Sequence, residues 1–109
     1  MPELTHFDDH GKAHMVDISE KQNSFRTAKA ACFIQMSIET LKIISDGSAK
    51  KGDVLNVARI AGIQGAKKTS ELIPLCHPIS LTKINLDLTV NDKTPGIEII
   101  STVKTTGPT

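Results

Sequence analysis

Apolar and polar side chains alternate most cleanly between residues 82 and 104. Ile84, Leu86, Leu88 and Val90 interleave with Lys83, Asn85, Asp87 and Thr89, the period of two expected of a half-buried strand. Asn91-Asp92-Lys93-Thr94-Pro95-Gly96 is dense in turn formers. Ile97, Ile99, Ser101 and Val103 then alternate with Glu98, Ile100, Thr102 and Lys104, which predicts an antiparallel hairpin. Earlier, Ala28, Ala30, Cys32, Ile34 and Met36 are apolar at even positions between Phe25 and Met36. That pattern predicts a strand with one well-buried face and places Cys32 in the core. His14-Met15-Val16-Asp17-Ile18 alternates as a shorter strand would, ahead of a polar break over 19–24.

Two helices are expected between these strands. Ser37 can cap Ile38 to Ser45, with Ile38, Leu41 and Ile44 on one side and Gly47 as the stop. Asp53 can cap a longer helix from Val54 to about Glu71. Ala58, Ala61, Gly62, Gly65 and Ala66 form a stripe on it with almost no side chain. An interior glycine costs about 0.8–1.0 kcal/mol relative to alanine, so close packing against a sheet or a second subunit should compensate. The order strand, strand, helix, helix, strand, strand indicates an α+β fold, one antiparallel sheet covered by helices on one face. With so few helices the cover is thin, and a further helix or another subunit is expected to complete it.

Composition narrows the function. The 109 residues make a single domain, 1–109, whose polar residues 1–12 read as a mobile arm. No apolar run reaches the roughly 18 residues of a membrane span, and the first residues lack the pattern of a signal peptide. Two cysteines without metal-like spacing point to free thiols in a reducing cytoplasm. A net charge of +1 gives no field for nucleic acid or membrane, and the absence of Trp and Tyr argues against base stacking.

Candidate chemistry lies in three places. Leu72-Ile73-Pro74-Leu75-Cys76-His77-Pro78 brackets a thiol and an imidazole with prolines, which fix their own φ and push Ile73 and His77 into extended backbone. Adjacent extended residues point to opposite sides, so Cys76 and His77 are not expected to form a thiolate–imidazole pair. Their plain alternative is a small buried hydrophobe beside a turn histidine. Lys51-Gly52-Asp53 opens the long helix, where anions bind, although Asp53 as cap competes for the free amides and no P-loop motif is present. Arg26, Arg59, Lys67, Lys68 and Lys83 come from separate elements; scattered, they are solvated surface, and converging, they would suit a polyanionic small molecule. His6, His10 and His14 lack the fixed spacing and the further ligands of a metal site, so no metal ligands are assigned.

Five stretches carry a resemblance: Leu4-Thr5-His6, Ala13-His14-Met15-Val16-Asp17, Lys51-Gly52-Asp53-Val54, Ala58-Arg59-Ile60-Ala61-Gly62-Ile63-Gln64, and the Leu72–Pro78 block. Together, and in this order, the chain resembles the cyclic pyranopterin monophosphate synthases, the molybdenum cofactor biosynthesis protein C family. The resemblance implies a ferredoxin-like fold and a cytoplasmic lyase. It implies conversion of 3′,8-cyclo-7,8-dihydroguanosine triphosphate to cyclic pyranopterin monophosphate with release of pyrophosphate. It assigns Lys51 and His77 as catalytic, Leu75, Cys76 and His77 as substrate contacts, and Arg26 and Lys67 to the triphosphate. No cofactor is implied beyond the Mg²⁺ that triphosphates usually carry. Dimers assembling into a hexamer, with the site at the dimer interface, are the implied assembly. Family members continue beyond the strand near Thr106 with a Gly-Val-Glu-Met-Glu-Ala-Leu motif, a long helix and further site residues. The expectation is therefore that residues 1–109 are the N-terminal two thirds of the family domain. The alternative from another class is a non-catalytic nucleotide-binding or subunit-interaction module.

Overall fold

The computed structural model describes residues 11–17, 24–47 and 52–107. Three strands, β1 (Phe25–Gln35), β2 (Leu81–Asn91) and β3 (Gly96–Thr106), form one sheet in the order β1-β3-β2. Both pairings are antiparallel. Between β1 and β2 run the helices α1 (Ile38–Ser45), α2 (Val54–Lys67) and α3 (Thr69–Leu72). The described elements are consistent with a ferredoxin-like α+β arrangement.

The helix starts follow their capping residues. Ser37 Oγ accepts the Thr40 amide at 3.2 Å, and Asp53 Oδ1 accepts the Asn56 amide at 3.1 Å. The α1 helix stops where Gly47 takes φ 78°, a left-handed turn that glycine adopts without a Cβ penalty. The long helix is shorter than its periodicity suggests: it ends at Lys67, and a separate turn of helix, α3, covers 69–72. Lys68 is the joint, its amide donating to the carbonyls of Ala66 and Gly65.

Residues paired across strands share a face of the sheet. Ala30, Ser101 and Leu86 align in one row, as do Cys32, Ile99 and Leu88. This is the face that carries α2: a Cβ added to Gly62 would collide with Cδ1 of Leu86 and meet Cδ2 at 3.4 Å. Gly62 is therefore what lets the helix backbone settle on β2. A Cβ on Gly65 meets nothing within 4 Å, so that part of the small-residue stripe is unused within one chain.

Cover stops short of β1. All eleven residues of β1 are exposed, Ile34 at 53% and Phe25 at 90%. The strand is where the alternation places it, but its even face is not buried and Cys32 is exposed rather than in the core. The physical reason is distance: α2 packs over β2, two strands away from β1. Among the described residues only Leu41 and Ile97 are buried hydrophobics. The short strand expected over 14–18 is also absent; Ala13 makes an isolated bridge, residues 14–17 have no strand conformation, and Ile18 lies outside the described residues.

Candidate functional site

Pro74 and Leu75 occupy the centre of a tight turn closed by the Cys76 amide donating to the Ile73 carbonyl at 3.3 Å. Ile73 is extended, with φ −102° and ψ 114°, as the following proline requires. Leu75 has φ 67° and is the only non-glycine residue with positive φ among the described residues. Proline at the second position and positive φ at the third are the marks of a type II turn, whose third residue is usually glycine. A leucine there costs about 1–2 kcal/mol, strain of a kind that gathers at functional sites.

The turn leads straight into the sheet. Leu75, Cys76 and His77 are half-buried. The Cys76 thiol donates to the His77 carbonyl at 3.2 Å, so it is bonded to backbone and not to the imidazole. That agrees with the two side chains acting separately. The Thr105 hydroxyl donates to the Ser80 carbonyl, and Thr105 is itself buried, which ties the connection to β3 just before β2 begins. Sequence reasoning missed this anchor, since a threonine late in a strand carries no local signal of it.

Register shows which basic residues come near. Arg26 pairs with Thr105, which pairs with Leu81, the first residue of β2. Arg26 thus stands at the end of the sheet where the turn arrives, its Nε donating to Ser24 Oγ at 3.2 Å. Lys67 is exposed at the C-terminal end of α2. Arg59 is half-buried and structural: Nε donates to the Leu86 carbonyl at 3.2 Å and Nη1 to Asn56 Oδ1 at 3.1 Å, bracing α2 against β2. Lys51 lies outside the described residues, next to Gly52, whose φ of 87° is left-handed. His6 and His10 also lie outside them, and the His14 ring donates from Nδ1 to the Met15 carbonyl. Among the described residues no group of three or more His, Cys, Asp or Glu is placed to hold a metal ion. None of the described helices is long and apolar enough to cross a membrane.

An α+β sheet whose entry turn holds a strained Leu-Cys-His segment defines a class that comparison with known proteins makes specific. The MoaC family model matches residues 15–109, and the chain belongs to that family. It is 55% identical over all 109 residues to a protein of Jannaschia sp. (strain CCS1) named cyclic pyranopterin monophosphate synthase, 67% of which it covers. Relatives of the same name from Cereibacter sphaeroides (strain KD131 / KCTC 12085) and Dinoroseobacter shibae are 55% and 56% identical, each covered over 69% of its length.

Proposed function

We propose that this chain acts as a cyclic pyranopterin monophosphate synthase in molybdenum cofactor biosynthesis. The reaction converts 3′,8-cyclo-7,8-dihydroguanosine triphosphate to cyclic pyranopterin monophosphate and expels pyrophosphate, a lyase chemistry. The observation that carries this is the identity of more than half of all 109 positions with relatives of that name.

In this reading Lys51 moves protons during rebuilding of the purine-derived ring, which an amine does best when burial or neighbouring cations lower its pKa. His77 gives an acid/base or hydrogen-bonding contact, and Leu75 and Cys76 contact the substrate beside it. Arg26 and Lys67 meet the triphosphate, which brings its own Mg²⁺. The α2 helix separates the segment at Gly52 from the one at His77, and its 14 residues span about 21 Å. In this reading the site is shared between two copies of the chain, in dimers that assemble to a hexamer.

The test is incubation with the cyclised GTP and detection of pyrophosphate and the cyclic monophosphate, run on this chain and on one extended to the length of its relatives. Product from the extended chain supports the reading. Tight binding without product from either would replace it with a nucleotide-binding module.

A further inference from the structure

The face of the sheet opposite α2 has an irregularity with a chemical consequence. Leu81 pairs with Thr105 but Lys83 pairs with Lys104, so β2 advances two residues while β3 advances one. Thr82 is the extra residue of a β-bulge. Without it Lys83 would share the face of Leu81; with it Lys83 is turned to the opposite face and set directly across from Lys104. Like charges directly opposite on a sheet repel, and a bulge is a device that re-aims a side chain. Lys29 joins them on that face: Lys104 pairs with Thr27, two residues from Lys29, a diagonal that long side chains span. All three lysines are exposed, and none of their side chains has a hydrogen bond or ion pair among the described residues.

The acidic residues of this face lie elsewhere. Asp87 and Glu98 sit toward the hairpin, and Asp87 is four residues, about 13 Å, from Lys83. The positive zone is therefore confined to the end of the sheet where the 73–78 turn enters, six residues from His77 to Lys83. An extended acidic peptide would run onto Asp87 and Glu98. A compact anion would not, and three ammonium groups match several charges on one small group better than a lone carboxylate.

We propose that Lys83, Lys104 and Lys29 form a binding site for a condensed phosphate on the face of the sheet opposite α2. The site goes beyond the function proposed above: it lies across the sheet from Arg26 and does not depend on Arg26 or Lys51 meeting substrate. Its ligand is either free pyrophosphate or the phosphate tail of a nucleotide, for which GTP serves as the probe.

Calorimetric titration of the chain with inorganic pyrophosphate and, separately, with GTP tests this. Lys83→Gln and Lys104→Gln should each weaken pyrophosphate binding at least about tenfold, because each removes a charge-assisted hydrogen bond to the anion. Lys93→Gln, in the hairpin, should leave it unchanged, and Lys104→Arg should retain it. Loss of pyrophosphate binding alone assigns the site to the free anion; loss of both assigns it to a nucleotide tail. Thermal melting guards against misfolding: removing one of two opposed charges should not lower the melting temperature, and pyrophosphate should raise it in the parent but not in the two glutamine variants. Equal affinity of parent and glutamine variants for both ligands, or no binding by the parent, would overturn the proposal.

Discussion

Replacing Gly65 by alanine separates packing within one chain from packing between chains. An added Cβ at Gly65 meets nothing within 4 Å, and the residue lies in the interior of the 14-residue α2 helix. Only the intrinsic term remains: alanine is favoured over glycine by about 0.8–1.0 kcal/mol in a helix interior. For a chain of this size that corresponds to a rise of roughly 4–8 °C in melting temperature. At Gly62 the same gain is opposed, because Cδ1 of Leu86 occupies the place of the new Cβ. Leu86 is half-buried in β2 and must change rotamer or push α2 outward, which costs on the order of 1–3 kcal/mol. Gly62→Ala should therefore be less stable than Gly65→Ala by at least about 1 kcal/mol, with Leu86→Ala relieving much of the difference in a double-mutant cycle. Urea unfolding at low protein concentration measures both, and size-exclusion chromatography run alongside reports assembly. If another copy uses the bare part of the stripe, Gly65→Ala will stabilise the dilute chain and weaken its self-association. Destabilisation by Gly65→Ala in the dilute chain would refute the assignment of that surface as unused within one copy.

Three further outcomes are expected. Gly96→Ala should cost on the order of 1–3 kcal/mol or more by chemical denaturation, because the new Cβ would strike the Ile34 carbonyl and the Phe33 ring, and backbone does not yield as a side-chain tip does. Leu75→Gly should raise stability by about 1 kcal/mol through relief of the left-handed φ, while KM for the cyclised GTP rises if the leucine side chain touches substrate; a loss of stability would mean that its packing outweighs the strain. Lys51→Ala and His77→Ala, made in a chain of the relatives' length, should each abolish turnover without lowering the melting temperature. Mixed after co-refolding, they should recover about a quarter of parental activity if each site draws Lys51 and His77 from different copies in a two-fold dimer, and none if one copy supplies both.

Local signals accounted for much of this structure. The strands from residue 81 onward, the hairpin, the caps at Ser37 and Asp53 and the extended Ile73 follow from side-chain alternation, hydrogen-bonding side chains and proline sterics, all of which act over a few residues. What escaped depends on distant parts of the chain. Cys32 alternates like a core residue, but burial requires something to cover it, and α2 lies over β2 instead. Lys68 breaks a helix with no glycine or proline to announce it, and His14 to Asp17 alternate without a neighbouring strand to pair with. Of the candidate site, the two prolines marked the turn, yet a leucine in the left-handed region carries no compositional sign. Arg26 reaches the turn's end of the sheet only through pairing with Thr105, a relation between residues 79 positions apart in the chain. Lys104 faces a second lysine only because the register shift at Thr82 sets Lys83 opposite it.

The order of the strands has a consequence for biosynthesis. Of the three described strands β1 leaves the ribosome first but hydrogen-bonds to β3, the last of them, so residues 36–95 must be added before that partner exists. At about 5–20 residues per second that is a wait of roughly 3–12 s. Throughout it, Phe25–Gln35 is an unpaired, β-prone segment whose only charges are Arg26 and Lys29. Nascent-chain chaperones have their clearest target there, and yield in a chaperone-depleted translation system should improve most when that segment, rather than the hairpin, is made more polar.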